Sequence, residues 1–236
     1  MPQRFGSLTT VSTSFTRPAN TTAYAAGDVV GPATLTITDA TNAAPIVVTI
    51  TAHGLATSDR VTIASVGGNT AANGDWVITK IDANTFSLNG STGNGAYTSG
   101  GTLIRLLRLA NVGYLKQGGG LAAGKILRTR LIGNTATITN GTFRVYYFSA
   151  QIPAIADNAA WTLLYSQRAS VVGYTANMVL ITEGAGSDSG HVQDTTSIPF
   201  VCGAGLQELY AVVLAEAAYV PTSGETFYIE TTIDQY

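Results

Sequence analysis

The sequence predicts an all-β protein, an antiparallel β-sandwich with a second small β-domain inserted in a loop and an extended N-terminal arm. The first observation is that short runs of alternating apolar and polar residues follow one another along most of the 236 residues, as half-buried strands require. The second is that Asn-Gly pairs such as Asn73-Gly74 and Asn140-Gly141 supply the positive φ angles of tight turns. The third is that the 3.6-residue apolar period of helices is missing over most of the chain.

The chain is predicted to begin with an extended arm over residues 1–23. Residues 7–23 are rich in Ser and Thr and contain one proline, Pro18. Such a segment has no core of its own, and it usually becomes ordered only against a partner surface. A single helical turn is predicted elsewhere, in AIADNAAW at 154–161.

The main sandwich is predicted from residues 24–32 and 103–236. Its strands are expected in YAAGDVVG (24–31), KILRTRLIG (125–133), TFRVYYFSA (142–150), LQELYAVVLAEAA (206–218) and ETFYIETTI (225–233). Because successive side chains of a strand point to opposite faces, Phe143 and Tyr147 should share one face. The same alternation places Ile126 and Leu131 on opposite faces of KILRTRLIG.

Residues 33–102 stand apart as a predicted insert. They contain strand patterns of their own in DRVTIASV (59–66), DWVITKID (75–82) and TFSLNG (85–90). A block of about seventy residues is long enough for one small core, which we expect to form around Trp76, Phe86 and Leu88. If the block were removed, the segments before and after it would join into an ordinary strand-turn-strand, which is typical of a domain inserted into a surface loop.

Several residues of the predicted insert hold a recognisable spacing. They are His53-Gly54-Leu55, Asp59-Arg60-Val61, Gly67, Asn73-Gly74-x-Trp76, Asp82-x-Asn84-Thr85-Phe86-x-Leu88 and the run GNGAYTSGGT. This pattern resembles a small β-domain that recurs in structural proteins of tailed bacteriophages. That family usually has Gly where Ser58 stands here, in a Thr-Gly-Asp turn. The resemblance implies a spacer or display module and no catalysis.

The rest of the chain carries a second resemblance, in the strand patterns of YAAGDVVG, GKILRTRLIG, FRVYYFSAQIP and YAVVLAEAAYVPTSGETFYI. These patterns are similar to the jelly-roll sandwiches of phage virion proteins, which often serve as decoration (cement) proteins on the capsid. The resemblance therefore implies a protein of the capsid exterior that stabilises the shell through protein–protein contacts. It implies the major capsid protein as a partner, and a homo-oligomer with a trimer favoured.

The composition favours packing against other proteins over binding by charge. Charged residues make up 11% of the chain and the net charge is -2, whereas an ordinary soluble domain has about 25% charged residues. The total charge therefore gives no signal for a nucleic-acid partner. No run approaches about 18 consecutive apolar residues, so no membrane-spanning helix and no membrane partner are expected.

The charged residues of the main sandwich are unevenly placed. Apart from Asp157, those between 105 and 168 are basic, and those from 169 onward are acidic. One interpretation is that basic and acidic strands pair within a sheet. The other is that a basic face of one subunit meets an acidic face of its neighbour or of a capsid protein. On the second interpretation, and with the arm included, the candidate interface residues are Arg4, Phe5, Arg17, Arg105, Arg108, Arg128 and Arg130.

No catalytic, cofactor-binding or metal site is predicted, and we expect no enzymatic activity. His53 belongs to the HGL turn of the insert, and the loop 183–194 around His191 fits no EF-hand spacing. The single Cys202 excludes an internal disulfide and a cysteine-based zinc site, and its apolar context indicates a small buried residue. No G-x-S-x-G elbow marks a nucleophile.

The alternative function is that of a tail-associated or surface adhesin that binds a host glycan. Aromatic side chains can form a platform for sugar rings, although such residues more often belong to a core or an interface. The candidates for such a platform are Tyr146, Tyr147, Trp161, Tyr165 and Tyr174.

Overall fold

A computed structural model of the chain describes residues 7–110, 112, 122–134, 141–182, 190–202 and 207–235. In chain order the strands are β1 (Ser7–Thr16), β2 (Val29–Val30), β3 (Leu35–Thr36), β4 (Asp39–Ala40), β5 (Val47–Thr49), β6 (Arg60–Gly67), β7 (Gly74–Lys80), β8 (Thr85–Leu88), β9 (Ser99–Arg105), β10 (Leu107–Ala110), β11 (Ala123–Gly133), β12 (Thr142–Phe148), β13 (Val171–Tyr174), β14 (Met178–Val179), β15 (Ile181–Thr182), β16 (Gly190–Asp194), β17 (Ile198–Val201), β18 (Glu208–Ala215) and β19 (Thr226–Gln235). Short 3-10 helices lie at Thr70–Ala72 and Tyr165–Ser170. The helical turn predicted at 154–161 is wrong, because that segment is irregular. Among the described residues, no helix is long and apolar enough to cross a membrane.

The chain divides into two compact units. The first, called the body, consists of Met1–Pro32, Leu107–Ile152 and Asp157–Tyr236. The second, called the inserted unit, consists of Ala33–Leu106 and Pro153–Ala156. The inserted unit therefore covers the predicted block and continues to Leu106, and it also includes a short segment that the sequence did not indicate.

The body is a jelly roll of two antiparallel sheets. β2 and β10 pair with the same side of β18, so together they take the place of one strand. In the same way, β13 and β14 share one side of β12, and β16 and β17 share one side of β11. The first sheet has the order β1, β19, β11, β16/β17, with β15 beyond β16, and the second has the order β2/β10, β18, β12, β13/β14. Counted as eight strands, these orders are 1-8-3-6 and 2-7-4-5, which is the arrangement of a jelly roll. The predicted antiparallel sandwich is confirmed.

The core of the body lies between these two sheets and is formed by inward-facing residues of both. Phe143 of β12 packs edge-on against Phe227 of β19, with 5.5 Å between the ring centroids. Tyr147 faces the same core, as its alternation with Phe143 predicts, and is fully buried. Its hydroxyl group lies 2.7 Å from the Thr129 hydroxyl and 3.2 Å from that of Thr231, so one side chain bridges the two sheets.

Strand β11 departs from simple alternation at Leu127. The register between β11 and β19 shifts between Ile126 and Arg128, so Leu127 is the extra residue of a β-bulge. As a result, Ile126 and Leu131 are both fully buried in the body core. The prediction that they lie on opposite faces is wrong, because a bulge changes the phase of the alternation.

The predicted N-terminal arm is wrong over residues 7–16. These residues form β1, which pairs with β19 from Ser7 opposite Gln235 to Thr16 opposite Thr226 without a register shift. Phe15 is buried and stacks on Phe227 at a centroid distance of 5.5 Å. The Ser- and Thr-rich composition therefore belongs to a strand at the edge of a sheet, while residues 1–6 lie outside the described chain.

The inserted unit interrupts a strand of the body. Val30 at the end of β2 lies opposite Val213 of β18, and Leu107 at the start of β10 lies opposite Ala211. Since β12 pairs along the other side of β18, β2 and β10 lie end to end, with only the position opposite Val212 between them. The chain thus leaves and rejoins the body about 7 Å apart. The insertion lies within one strand, not in the predicted loop between two strands.

Deleting residues 32–106 is expected to leave the body folded. In this variant Gly31 occupies the position opposite Val212, and Leu107 keeps its inward face. Deleting 31–106 instead removes the one-residue spacer, so every residue of β10 turns to the opposite face. Near-UV circular dichroism during heating should show a cooperative transition for the first variant and a clearly lower midpoint for the second. Equal midpoints would contradict the continuous strand.

The inserted unit has its own sheet and its own core. Its strands have the order β3, β9, β6, β7, β8, β5, β4. Phe86 and Leu88 of β8 are fully buried in this core. Trp76 of β7 packs against the core while partly exposed, and its Nε1 donates a hydrogen bond of 2.8 Å to the Ala72 carbonyl. The predicted core residues therefore lie together, with Trp76 at the margin.

Candidate interaction surfaces

Two of the candidate interface arginines in the body pair with glutamates on neighbouring strands. Arg130 of β11 lies opposite Glu230 of β19, and its Nη1 is 2.8 Å from a glutamate oxygen. Arg108 of β10 makes a contact of 2.8 Å with Glu208 of β18. In the described strands, basic and acidic residues thus pair within a sheet, as the first interpretation predicted. These pairs neutralise charge locally.

The other predicted interface residues have varied surroundings. Arg128 donates a hydrogen bond of 3.1 Å from Nη2 to the Thr232 hydroxyl. Arg105 is half-buried at the end of β9, in the inserted unit. Arg4 and Phe5 lie outside the described residues. A role at an interface for Arg105, Arg108, Arg128 and Arg130 stays a prediction.

Arg17 is not an interface residue, because its side chain is fully buried in the body. Its Nη1 donates 3.2 Å to the Thr222 carbonyl, and its Nη2 lies 3.4 Å from an Asp157 oxygen. Its Nε donates to the Tyr24 hydroxyl. These contacts connect the end of β1 to the loops that contain Asp157 and Thr222. The role of Arg17 is therefore structural, and the predicted interface role is wrong.

The network around Arg17 continues through two stacked tyrosines. The Tyr24 hydroxyl donates to Asp157 at 2.5 Å, and the Tyr219 hydroxyl donates to Glu225 at 2.5 Å. The two rings stack with 6.0 Å between their centroids. Burial, together with these carboxylate contacts, raises the pKa of both tyrosines above the usual value. Each of these hydroxyl and carboxylate groups has a hydrogen-bond partner, so the network holds together the segments of the body around Arg17.

The buried tyrosines predict a loss of stability in alkali. Burial raises the pKa of Tyr147 from 10.0 to about 12, so the unfolded chain ionises this hydroxyl before the folded chain does. The resulting stability is fully present below pH 10 and is lost between about pH 10 and 12. Urea titrations at several pH values should show the free energy of unfolding falling across this window. The fall should be shallower in Tyr147→Phe, and an unchanged slope would contradict the prediction.

His53 has the structural role predicted for it. Its Nδ1 accepts a hydrogen bond of 2.9 Å from the Leu55 N–H. This fixes the proton on Nε2, which donates to the Asp82 carbonyl at 3.1 Å. The ring meets Phe86 edge-on at 5.2 Å. His53 therefore closes the turn of the inserted unit with both ring nitrogens in use.

The loop 183–194, for which no metal site was predicted, is only partly described by the structure. Residues 183–189 of the loop near His191 lie outside the described chain, and 190–194 form β16. Elsewhere in the described residues, no three His, Cys, Asp or Glu side chains converge in a way that could hold an ion. Cys202 is buried, as predicted, and burial raises the pKa of its thiol to about 11.

Ser58 occupies a turn position that the resembling family fills with Gly. Its φ angle is +74°, in the left-handed region that costs a residue with a side chain about 1–2 kcal/mol. The turn is held by a hydrogen bond of 3.1 Å from the Asp59 N–H to the Ala56 carbonyl. The turn geometry is therefore that of a Gly position, formed here with Ser.

Replacing Ser58 with Gly is expected to stabilise the inserted unit by about 0.5–1 kcal/mol. The relief of left-handed strain exceeds the entropy that Gly adds to the unfolded chain. Ser87→Gly in the middle of β8 is the matched control. It should destabilise because it adds the same entropy without relieving strain, weakens the strand and removes the hydrogen bond of 3.5 Å from the Ser87 hydroxyl to the Thr79 carbonyl. Chemical denaturation followed by Trp76 fluorescence, with Trp161→Phe as the common background, measures both. Destabilisation by Ser58→Gly would contradict the strain argument.

The aromatic candidates divide between the core and the outer face of the second sheet. Tyr147 belongs to the core, whereas the Tyr146 ring packs against Trp161 at 4.6 Å and against Tyr174 at 4.9 Å. Tyr174 is 51% exposed, and the Arg144 guanidinium lies 5.1 Å from its ring centroid. Tyr165 is 90% exposed in the 3-10 helix. An exposed aromatic group beside a cation thus lies on this face.

The chain matches no family model and no curated protein. Among solved structures, one described as "Structure of infectious bursal disease virus Gt strain" aligns with 98% of this chain and 81% of its own, at 10% identity and a TM-score of 0.14. At that TM-score the alignment supports no conclusion about fold or function. The architecture of the chain is therefore established by its own strand order, that of an all-β sandwich.

Proposed function

We propose that the chain is a bacteriophage virion structural protein, a capsid decoration protein that binds the outside of the shell and stabilises it. The observation that carries this proposal is the combination of a jelly-roll body with an inserted unit that interrupts one of its strands. The residues of that unit resemble the β-domain recurrent in tailed-phage structural proteins. A domain added without changing the strand order suits display on a repeating surface.

In this role the body attaches to the major capsid protein and to other copies of the chain by burying apolar surface. Charge contributes little, because 11% of the residues are charged and Arg108 and Arg130 pair within their own sheets. At about 25 cal/mol per Å² of apolar area, several contacts together offset the outward pressure of packaged DNA. The role is mechanical and needs no catalytic group.

Rebinding to capsids that lack the protein tests this proposal. We expect added protein to give ordered extra density in cryo-electron microscopy and to raise the temperature at which the shells release DNA. The variant lacking residues 32–106 is the matched control, since it should still bind and lack the density of the inserted unit. No binding to such capsids, together with a monomer at high concentration, would contradict the proposal.

A tail-associated or surface adhesin that binds a host glycan is the second candidate. The exposed Tyr174 ring beside Arg144 and Asn177 favours it, because an aromatic face next to hydrogen-bonding groups is suited to a sugar ring. Saturation-transfer NMR with candidate glycans, on the protein and on Tyr174→Ala, distinguishes the two functions. A signal lost in Tyr174→Ala supports the adhesin, and persistent absence of signal supports decoration.

A further inference from the structure

Strand β1 differs from the other strands that end a sheet in the described chain. The end strands β3, β4, β10, β13 and β15 are each four residues long or shorter, and the edges formed by β2 with β10 and by β13 with β14 are interrupted. β1 is an unbroken run of 10 residues. Very short end strands are one means by which proteins avoid edge-to-edge association. β1 is therefore the longest uninterrupted end strand in the described chain.

The other protective features are also missing from β1. Its sequence SLTTVSTSFT contains no charged residue and no proline, and its register with β19 has no bulge. Leu8 is 68% exposed, and Thr10 and Ser12 are exposed as well. β10 lies near β1, but within the described residues no β-ladder joins them. Within the part of the chain that the structure describes, no strand pairs with the outer edge of β1 from Ser7 to Thr13, so a further strand can add there.

We propose that β1 pairs with β1 of a second copy of the chain, antiparallel about a two-fold axis at Thr10. The first sheets of the two bodies then form one continuous sheet. This register places Thr10 opposite Thr10, Leu8 opposite Ser12 and Thr9 opposite Val11. The strand already pairs in this way on its other side, where the hydroxyls of Thr10 and Thr232 are 3.4 Å apart.

A second copy is favoured over another partner by the absence of charge. In a two-fold pairing each residue near the axis meets itself or a close neighbour, so any lysine or glutamate there would oppose a like charge. β1 is free of this conflict along its whole length. Such a contact is isologous and closes after two copies. It therefore gives a dimer, whereas the resemblance to decoration proteins implied a trimer.

The inference goes beyond the proposed function, because it is tested on the free protein without capsids. Thr10→Cys places one thiol at the two-fold axis, where directly opposite Cα atoms are about 4.5–5.5 Å apart, within the range of a disulfide. The native Cys202 is buried and does not interfere. Mild oxidation should convert most of Thr10→Cys to a covalent dimer on a non-reducing gel.

Thr232→Cys is the matched control for this crosslink. Thr232 lies beside Thr10 on β19, one strand inside the edge. In the proposed dimer the two copies of residue 232 are three strand spacings apart, about 14 Å, so they should stay monomeric under the same oxidation. Equal crosslinking of both variants, or none of Thr10→Cys, would overturn the proposal.

Thr10→Lys provides a second test that needs no disulfide. Two lysines would face each other at the axis, so the dissociation constant measured by analytical ultracentrifugation should rise at least tenfold. The melting temperature should stay the same when it is measured at a concentration low enough for both proteins to be monomers. Thr36→Lys on β3, an end strand of the inserted unit, is the control and should not change the constant. A wild-type monomer at all concentrations, or an oligomer unaffected by Thr10→Lys, would overturn the proposal. If this edge instead binds a strand of a capsid protein, the free wild-type protein will be a monomer at all concentrations.

Discussion

Replacing Arg17 with Met is expected to lower the free energy of unfolding of the body by about 3–5 kcal/mol. The Arg17 side chain is fully buried and the Asp157 side chain is 5% exposed. Removing the guanidinium leaves the Asp157 carboxylate without its cation in a place that water hardly reaches. It also removes one of the donors to the Thr222 carbonyl, which keeps its hydrogen bond of 3.3 Å from the Glu225 N–H. Urea denaturation monitored by circular dichroism measures the effect.

Arg130→Met is the matched control, because it removes the same group from a pair near the surface. The side chains of Arg130 and Glu230 are 31% and 33% exposed, so water screens the pair and its loss should cost about 1 kcal/mol or less. Adding Asp157→Asn to Arg17→Met should recover part of the lost stability, since it removes the uncompensated charge. Equal effects of Arg17→Met and Arg130→Met would contradict the buried network.

Replacing Phe143 or Phe86 with Ala is expected to cost about 3–5 kcal/mol in each case, but in different parts of the chain. Phe143 is fully buried in the core of the body, and Phe86 is fully buried in the core of the inserted unit. Because each truncation leaves a cavity in one core only, each should lower the unfolding midpoint of one unit and leave that of the other nearly unchanged.

The two tryptophans of the chain allow this to be measured separately. Trp76 lies in the inserted unit and Trp161 in the body. In Trp161→Phe, fluorescence reports the inserted unit, so Phe86→Ala should shift the transition and Phe143→Ala should not. In Trp76→Phe the order is reversed. If both truncations shift both signals equally, the units unfold as one and the division into two cores is contradicted.

The strands that carry a strong pattern were predictable from the sequence. Phe143 and Tyr147 alternate with polar residues and face the core as expected. The segment 206–218 was also predicted as a strand, and β18 is buried on both faces, which explains its nearly unbroken apolar run. The charge pairs followed from the same kind of reasoning, because Arg130 and Glu230 belong to strands of opposite charge.

The features that were missed depend on contacts between distant parts of the chain. β1 contains little apolar surface, and its partner β19 lies at the other end of the sequence, so nothing local separates it from an arm. Arg17 is buried because Asp157 and Thr222 fold around it. The bulge at Leu127 appears only in the register against β19. Local patterns give strands and their faces, whereas pairing partners and the burial of a single charge follow from the tertiary fold.

The split strand formed by β2 and β10 gives the body a position at which another domain can be inserted. Val30 and Leu107 are separated by a single position along β18. We expect that a domain whose own ends lie at a comparable spacing can replace residues 32–106 without changing the strand order of the body. An epitope or a second domain whose ends lie about 7 Å apart is therefore expected to be tolerated at the same junction.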